Sequence, residues 1–372
     1  MPLPASRLLL SLTLLALLLG ACSPLATGQG AADSDALVET AVAQALTATA
    51  LFAPAAATAT LSPTPTATLS PSGTPTAAPT ATPGPFDHLT IASLAARSYG
   101  EGELVVERTL EQREDFTRSL VRYPSDGLTQ YGFMNVPAGP GPFPVVILLH
   151  GYVSPEGYPL LDYVTRYADE LARSGYVVIH PTLRGYPPSD DGPNLHRVGF
   201  AVDVLNLAAL VRKQGGLPGT LAQADPARIG LWGHSMGGGV ATRVMLIDPQ
   251  IRAVVLYGAM GADERLNAEQ IYNVFSNHTR AVEEMNTPLE ALQAISPVYF
   301  LDRLNAAVSI HHGDADDQVP LAWSADLCAR LQGLGKTVEC FTYAGAPHTF
   351  RDEADTLFTA RVLDFYEKYL RD

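Results

Sequence analysis

A serine flanked by glycines, Gly233-His234-Ser235-Met236-Gly237, is constrained from both sides by its neighbours. Before it, Arg228-Ile229-Gly230-Leu231-Trp232 is a short apolar run of the kind a buried strand needs. After it, residues 237–247 carry apolar side chains at helical spacing. A strand that passes through a tight Gly-x-Ser-x-Gly turn into a helix pushes the serine out at a sheet edge, where a nucleophile is wanted. Such a turn strains the serine backbone, and a side chain at either glycine would collide with the adjacent strand or helix. With 31 glycines in 372 residues the pentapeptide alone can arise by accident, so its flanks carry the argument.

The amino-terminal quarter reads differently. Residues 8–19 form a leucine-dominated run behind Arg7, too short to span a bilayer and of signal-peptide size. The run ends in Leu19-Gly20-Ala21-Cys22, which resembles the lipobox of bacterial lipoprotein signal peptides. That resemblance implies a signal peptide over 1–21, lipid attachment at Cys22, and an extracytoplasmic protein held to the membrane or cell surface by its anchor. An ordinary secretory signal with an incidental cysteine would release the protein instead. Residues 22–85 are expected to be a low-complexity tether. A weak alanine-rich helix over 35–52 gives way to repeats such as Ser62-Pro63-Thr64-Pro65-Thr66-Ala67-Thr68, which cannot bury enough apolar surface to repay ordering. In a polyproline-like state the last 28 or so residues of the tether would reach roughly 80 Å.

Residues 86–372 suffice for one sizeable core. The net charge of −14 argues against nucleic acid and anionic lipid headgroups as partners, since both demand basic patches. From Pro144 onward, apolar runs at 145–149, 176–179, 228–232, 253–257, 307–311 and 338–342 alternate with helical patterns at 160–174, 194–213, 237–247, 321–331 and 353–370. Repeated strand–helix units predict a mostly parallel, doubly wound sheet with helices on both faces. Three earlier runs, 104–110, 116–123 and 129–136, are separated by turn residues and predict antiparallel strands at the amino-terminal edge. Residues 261–304 interrupt the alternation. As an insertion at the carboxyl edge they could form a small lid over a crevice, or a peripheral helix pair packed on the sheet.

A serine hydroxyl is a poor nucleophile unless a base takes its proton and an acid orients that base. Downstream of Ser235 the chain supplies His312-Gly313-Asp314-Ala315-Asp316-Asp317-Gln318-Val319-Pro320 and then Gly345-Ala346-Pro347-His348-Thr349-Phe350, each just past a strand. With His150-Gly151-Tyr152 and Arg184-Gly185, these segments resemble the α/β-hydrolase fold over residues 123–370. The resemblance is to the prolyl oligopeptidase-type catalytic domain, the dienelactone hydrolases and the cutinase-like serine esterases. It implies Ser235 as nucleophile, His348 as base and Asp316, rather than Asp314 or Asp317, as the acid. It also implies an oxyanion hole from the backbone N–H groups of Met236 and Tyr152.

The remaining residues carry plainer expectations. His150 would fasten its loop, Arg184 would bind a substrate carboxylate or a loop-fixing acid, and Trp232 would pack in the core. His180, His196, His278, His311 and His312 show no ligand spacing, so neither metal nor cofactor is expected. Outside the cytoplasm a disulfide between Cys328 and Cys340 is permitted. The expected substrate is a small or polymeric ester. The rival readings are a serine peptidase, which the absence of a preceding propeller domain disfavours, and a catalytically silent binding lipoprotein.

Overall fold

The computed structural model describes residues 84–371. The signal peptide expected at 1–21, Cys22, and the tether expected over 22–85 lie outside those residues, apart from Gly84 and Pro85. Thr90 caps a first short helix, α1 (Ile91–Ala95), its hydroxyl accepting from the Ser93 N–H at 3.1 Å. Three antiparallel strands follow, β1 (Val105–Gln112), β2 (Phe116–Ser125) and β3 (Leu128–Pro137). Strand and helix then alternate: β4 (Phe143–Leu149), α2 (Thr165–Arg173), β5 (Val177–Pro181), α3 (Val198–Gln214), β6 (Ala224–His234), α4 (Met236–Ile247) and β7 (Ala253–Tyr257). The insertion contributes α5 (Glu264–Gln270), α6 (Val282–Met285) and α7 (Leu289–Ile295). The chain closes with β8 (Ala307–Gly313), α8 (Leu321–Gly333), β9 (Val338–Tyr343) and α9 (Asp352–Tyr366).

One nine-stranded sheet results, in the order β1-β2-β3-β5-β4-β6-β7-β8-β9. Strands β4 to β9 pair in parallel, and β3 joins them antiparallel to β5, as the runs of apolar sequence predicted. The continuous apolar character of β4 follows from burial on both faces. Val145, Ile147 and Leu149 enter a core beneath α1, α3, α4 and α8, while Val146 and Leu148 enter a second core with Trp232 beneath α2 and α9. The strand order reverses about β4, and in such sheets the crevice lies outside the carboxyl ends of the strands flanking the reversal. Register pairs Leu149 with Gly233, so the segments that follow β4 and β6 emerge side by side.

Two helices begin later than their periodicity suggests. α2 starts at Thr165 because the Asp162 carboxylate accepts the Val164 N–H at 2.9 Å, which makes a turn of residues 162–164. α3 starts at Val198 because His196 and Arg197 are left-handed, with φ of 53° and 58°. The Glu284 carboxylate holds that bend by accepting the His196 N–H at 3.0 Å. The bend delivers Arg197 to Glu264 and Glu284 of the insertion. Buried Arg243 of α4 reaches Glu264 from beneath at 2.7 Å. Burial alone would raise the Glu264 carboxyl, but Arg197 and Arg243 pull it down to about 2. These two arginines and two glutamates pin the insertion to the helix that follows the serine turn. At the same time Ile271, Phe275 and Arg280 from the insertion wall a crevice. It therefore packs against the body of the fold and also faces the site.

Candidate active site

The turn between β6 and α4 holds Ser235 at φ 53° and ψ −117°, a conformation few non-glycine residues adopt. Close packing explains its glycines. A Cβ on Gly233 would lie 2.4 Å from the Gly237 carbonyl oxygen, and one on Gly237 would lie 2.4 Å from that of Leu149. The Ser235 N–H donates to the Tyr257 carbonyl at 2.9 Å, and its carbonyl accepts from Met260 N–H at 2.9 Å. The turn is thereby tied to β7 and the segment beyond it. Among the described residues the Ser235 hydroxyl has no hydrogen-bond partner and faces a crevice of about 860 Å³. Tyr152, Met236 and His348 line the same crevice.

His348 arrives from the segment after β9, its Nδ1 2.7 Å from Asp316 Oδ2. Asp316 arrives from the segment after β8. Its other oxygen accepts from the N–H groups of Gln318 at 2.8 Å and Val319 at 2.9 Å. Burial would raise the Asp316 carboxyl. The donors on it, His312 first and then His348 and Val319 N–H, outweigh burial and hold it well below the ordinary carboxylate range. The His348 ring and the Asp316 carboxylate sit above Gly258, where φ is +48° and a Cβ would lie 3.3 Å from His348 Nδ1 and 3.4 Å from Asp316 Oδ2. Asp314 instead accepts the Gly345 N–H at 2.6 Å, and Asp317 is exposed. Of the three aspartates only Asp316 meets His348.

Met236 is the first residue of α4, so its N–H has no intrahelical acceptor. The Tyr152 N–H likewise donates to no protein group among the described residues. The Tyr152 ring is half exposed, and the Arg280 guanidinium stacks over it with its carbon 4.2 Å from the centroid. The insertion therefore touches the segment that carries one expected oxyanion donor.

Other expectations resolve by contact. Arg184 grips the buried Asp203 with two bonds, Nη2 to Oδ1 at 2.7 Å and Nε to Oδ2 at 3.1 Å, so it fixes its loop. His150 is buried, its Nδ1 2.7 Å from the Gly151 carbonyl oxygen. Trp232 is fully buried. Cys328 on α8 and Cys340 on β9 form a disulfide, their Cα atoms 6.4 Å apart. No group of three His, Cys, Asp or Glu side chains that could hold a metal occurs among the described residues.

Sequence reasoning passed over three residues that the fold brings to this site. His312 lies between Asp316, 3.1 Å from its Nε2, and the Ser324 hydroxyl, 2.7 Å from its Nδ1. Its position four residues before Asp316 was the available signal. His234, adjacent to Ser235, and Tyr163 had none, because their roles depend on segments distant in sequence.

Two family models match the chain. The prolyl oligopeptidase family matches residues 218–372, which include Ser235, Asp316 and His348. The alpha/beta hydrolase fold matches residues 144–288, which include Tyr152 and Ser235. Among curated relatives, the probable 2-oxo-3-(5-oxofuran-2-ylidene)propanoate lactonase of Bradyrhizobium sp. is 22% identical over 61% of this chain and 82% of its own length. Among solved structures, the acetyl xylan esterase from Paenibacillus sp. R4 superposes with a TM-score of 0.57 and 18% identity. That match covers 77% of this chain and 93% of the esterase. The acylaminoacyl peptidase of Pyrococcus horikoshii gives 0.55 and 19% over 69% of this chain but only 42% of its own. At these identities the structural neighbours speak for the fold. The nine-stranded sheet and both family models agree on one conclusion: the chain belongs to the α/β-hydrolase superfamily, as a hydrolase whose relatives include esterases and peptidases.

Proposed function

We propose that this chain is an exported serine hydrolase that cleaves carboxylic esters through an acyl-enzyme on Ser235. The observation that carries the reading is the His348–Asp316 pair at 2.7 Å, whose histidine lines one crevice with a serine held at positive φ. In the proposed reaction the Ser235 oxygen attacks the ester carbonyl while His348 Nε2 takes its proton. Asp316 accepts from Nδ1 and stabilises the imidazolium. The N–H groups of Met236 and Tyr152 receive the negative charge that develops on the carbonyl oxygen, and one such donor is worth about 3–4 kcal/mol. Collapse expels the alcohol with the proton carried by His348. Water, activated by the same imidazole, then releases the acid.

Ester cleavage is favoured by the likeness to the probable lactonase, whose name denotes cleavage of a cyclic ester and which is matched over 82% of its own length. Peptidase activity is the second reading because the prolyl oligopeptidase model spans the serine, the aspartate and the histidine. Hydrolysis of short p-nitrophenyl esters against aminoacyl p-nitroanilides separates the two, and anilide turnover with negligible ester turnover would reverse the preference. Ser235→Ala is expected to abolish labelling by a fluorophosphonate. Attachment to the membrane through Cys22 is part of the proposal. It rests on Leu19-Gly20-Ala21-Cys22, and Cys22→Ser should move the protein out of the membrane fraction.

A further inference from the structure

A chain of three hydrogen bonds runs beneath the candidate active site and joins its three segments. Tyr163 Oη lies 2.8 Å from the Gly151 nitrogen and 2.6 Å from His234 Nδ1. A backbone N–H can only donate, so the tyrosine oxygen accepts from Gly151; the His348 carbonyl can only accept, so His234 Nε2 carries a proton and, in a neutral ring, Nδ1 accepts the tyrosine's. His234 Nδ1 is then an acceptor, the ring proton sits on Nε2, and Nε2 donates to the His348 carbonyl oxygen at 3.1 Å. The two ends, one a donor only and the other an acceptor only, fix the proton positions between them. The order Gly151 N–H, Tyr163 O–H, His234, His348 O=C requires a neutral imidazole. Burial supplies that condition, pushing the His234 ring down to about 3.

We propose that Tyr163 and His234 are positioning residues that set the aim of the Tyr152 N–H and the height of His348 over Ser235. The proposal rests on the mechanism given above. Gly151 immediately precedes the residue with the expected oxyanion donor, His234 immediately precedes the nucleophile, and the last bond ends on the base's own backbone. The His234 and His348 rings are also in contact, with centroids 4.6 Å apart and planes tilted by 39°. The relay is a single path from the segment after β4, through the serine turn, to the segment after β9. Small displacements of such groups are costly, because donors must sit within about 3 Å of the developing charge.

The test uses the full-length chain and p-nitrophenyl acetate. Tyr163→Phe keeps the ring and removes the oxygen. It should lower kcat about 10- to 100-fold with KM within about twofold, since the bonds concerned align groups that act in the transition state. His234→Phe should do the same, and the double variant should lose no more than the worse single one, because both break one relay. His234→Gln, which can still donate to the His348 carbonyl, should recover part of the loss. The rate of fluorophosphonate labelling should fall in step with kcat. Tyr163→Phe or His234→Phe retaining kcat within about twofold of the parent would overturn the assignment, even if their melting temperatures fall. Additive losses in the double variant would overturn the single path. A fully active Ser235→Ala would instead overturn the underlying mechanism, so the two failures are distinguishable.

Discussion

Acid should destabilise this fold steeply between pH 6.5 and 5, well before its carboxylates titrate. His180, His234 and His311 are fully buried, and burial pushes each imidazole from 6.5 down to about 3. The unfolded chain takes up a proton on each ring as pH falls through about 6.5, whereas the folded chain does so only near 3. Unfolding therefore draws in up to three protons across that window, and stability falls with acidity. At pH 5 each ring costs about 2 kcal/mol, some 6 kcal/mol for the three, against a total stability of about 5–15 kcal/mol for a typical domain. His150 and His196 are lowered by burial too and act in the same direction. Asp162 and Asp203, raised by burial, act in the opposite one. Comparing variants separates the two contributions. Urea unfolding followed by tryptophan fluorescence at pH 7, 6 and 5 should show a falling midpoint. Replacing His180 with Gln should flatten the dependence by about one third, whatever it does to stability at pH 7. An unfolding free energy that changes by less than about 1 kcal/mol from pH 7 to 5, with no flattening in the variant, would refute the reasoning.

Three further outcomes follow from particular contacts. Asp316→Asn should lower kcat for ester hydrolysis by about 10⁴ with little change in KM, because the His348 imidazole loses the partner that fixes its tautomer; steady-state kinetics at pH 7.5 reads this directly. Arg243→Met leaves Glu264 buried with Arg197 alone and removes the donor to the His196 carbonyl. It should cost about 3–5 kcal/mol by urea denaturation and raise KM as the insertion loosens, and a cost below about 1 kcal/mol would show that the ion pairs do not pin it. Cys328 and Cys340 enclose a short loop, with a sequence separation of 12. Replacing both with Ala should lower stability by about 3 kcal/mol and the melting temperature accordingly.

The strands and their faces were legible because apolar runs such as residues 145–149 have only one stable environment, a sheet covered on both sides. The serine turn was legible for a related reason: Gly233 and Gly237 stand where any Cβ would strike backbone. The order serine, aspartate, histidine along the chain pointed to the candidate members of the site. It could not separate Asp316 from Asp314 and Asp317 without the family resemblance, since three carboxylates in one loop look alike in sequence. Register did that, by carrying β8 and β9 side by side until Gly313 meets Tyr343 and the following segments meet over Gly258.

What the chain alone determined is therefore what local physics dictates: period, burial, turn chemistry and the kinds of reactive groups at strand ends. What only the tertiary structure decided depends on pairs far apart in sequence. Tyr163 reaches His234 across 71 residues, and Arg197 reaches Glu284 across 87. No propensity or spacing encodes such a contact, because its existence depends on where two separately stabilised segments come to rest. The polar links among the segments that carry Ser235, His348 and Tyr152 are of this second kind.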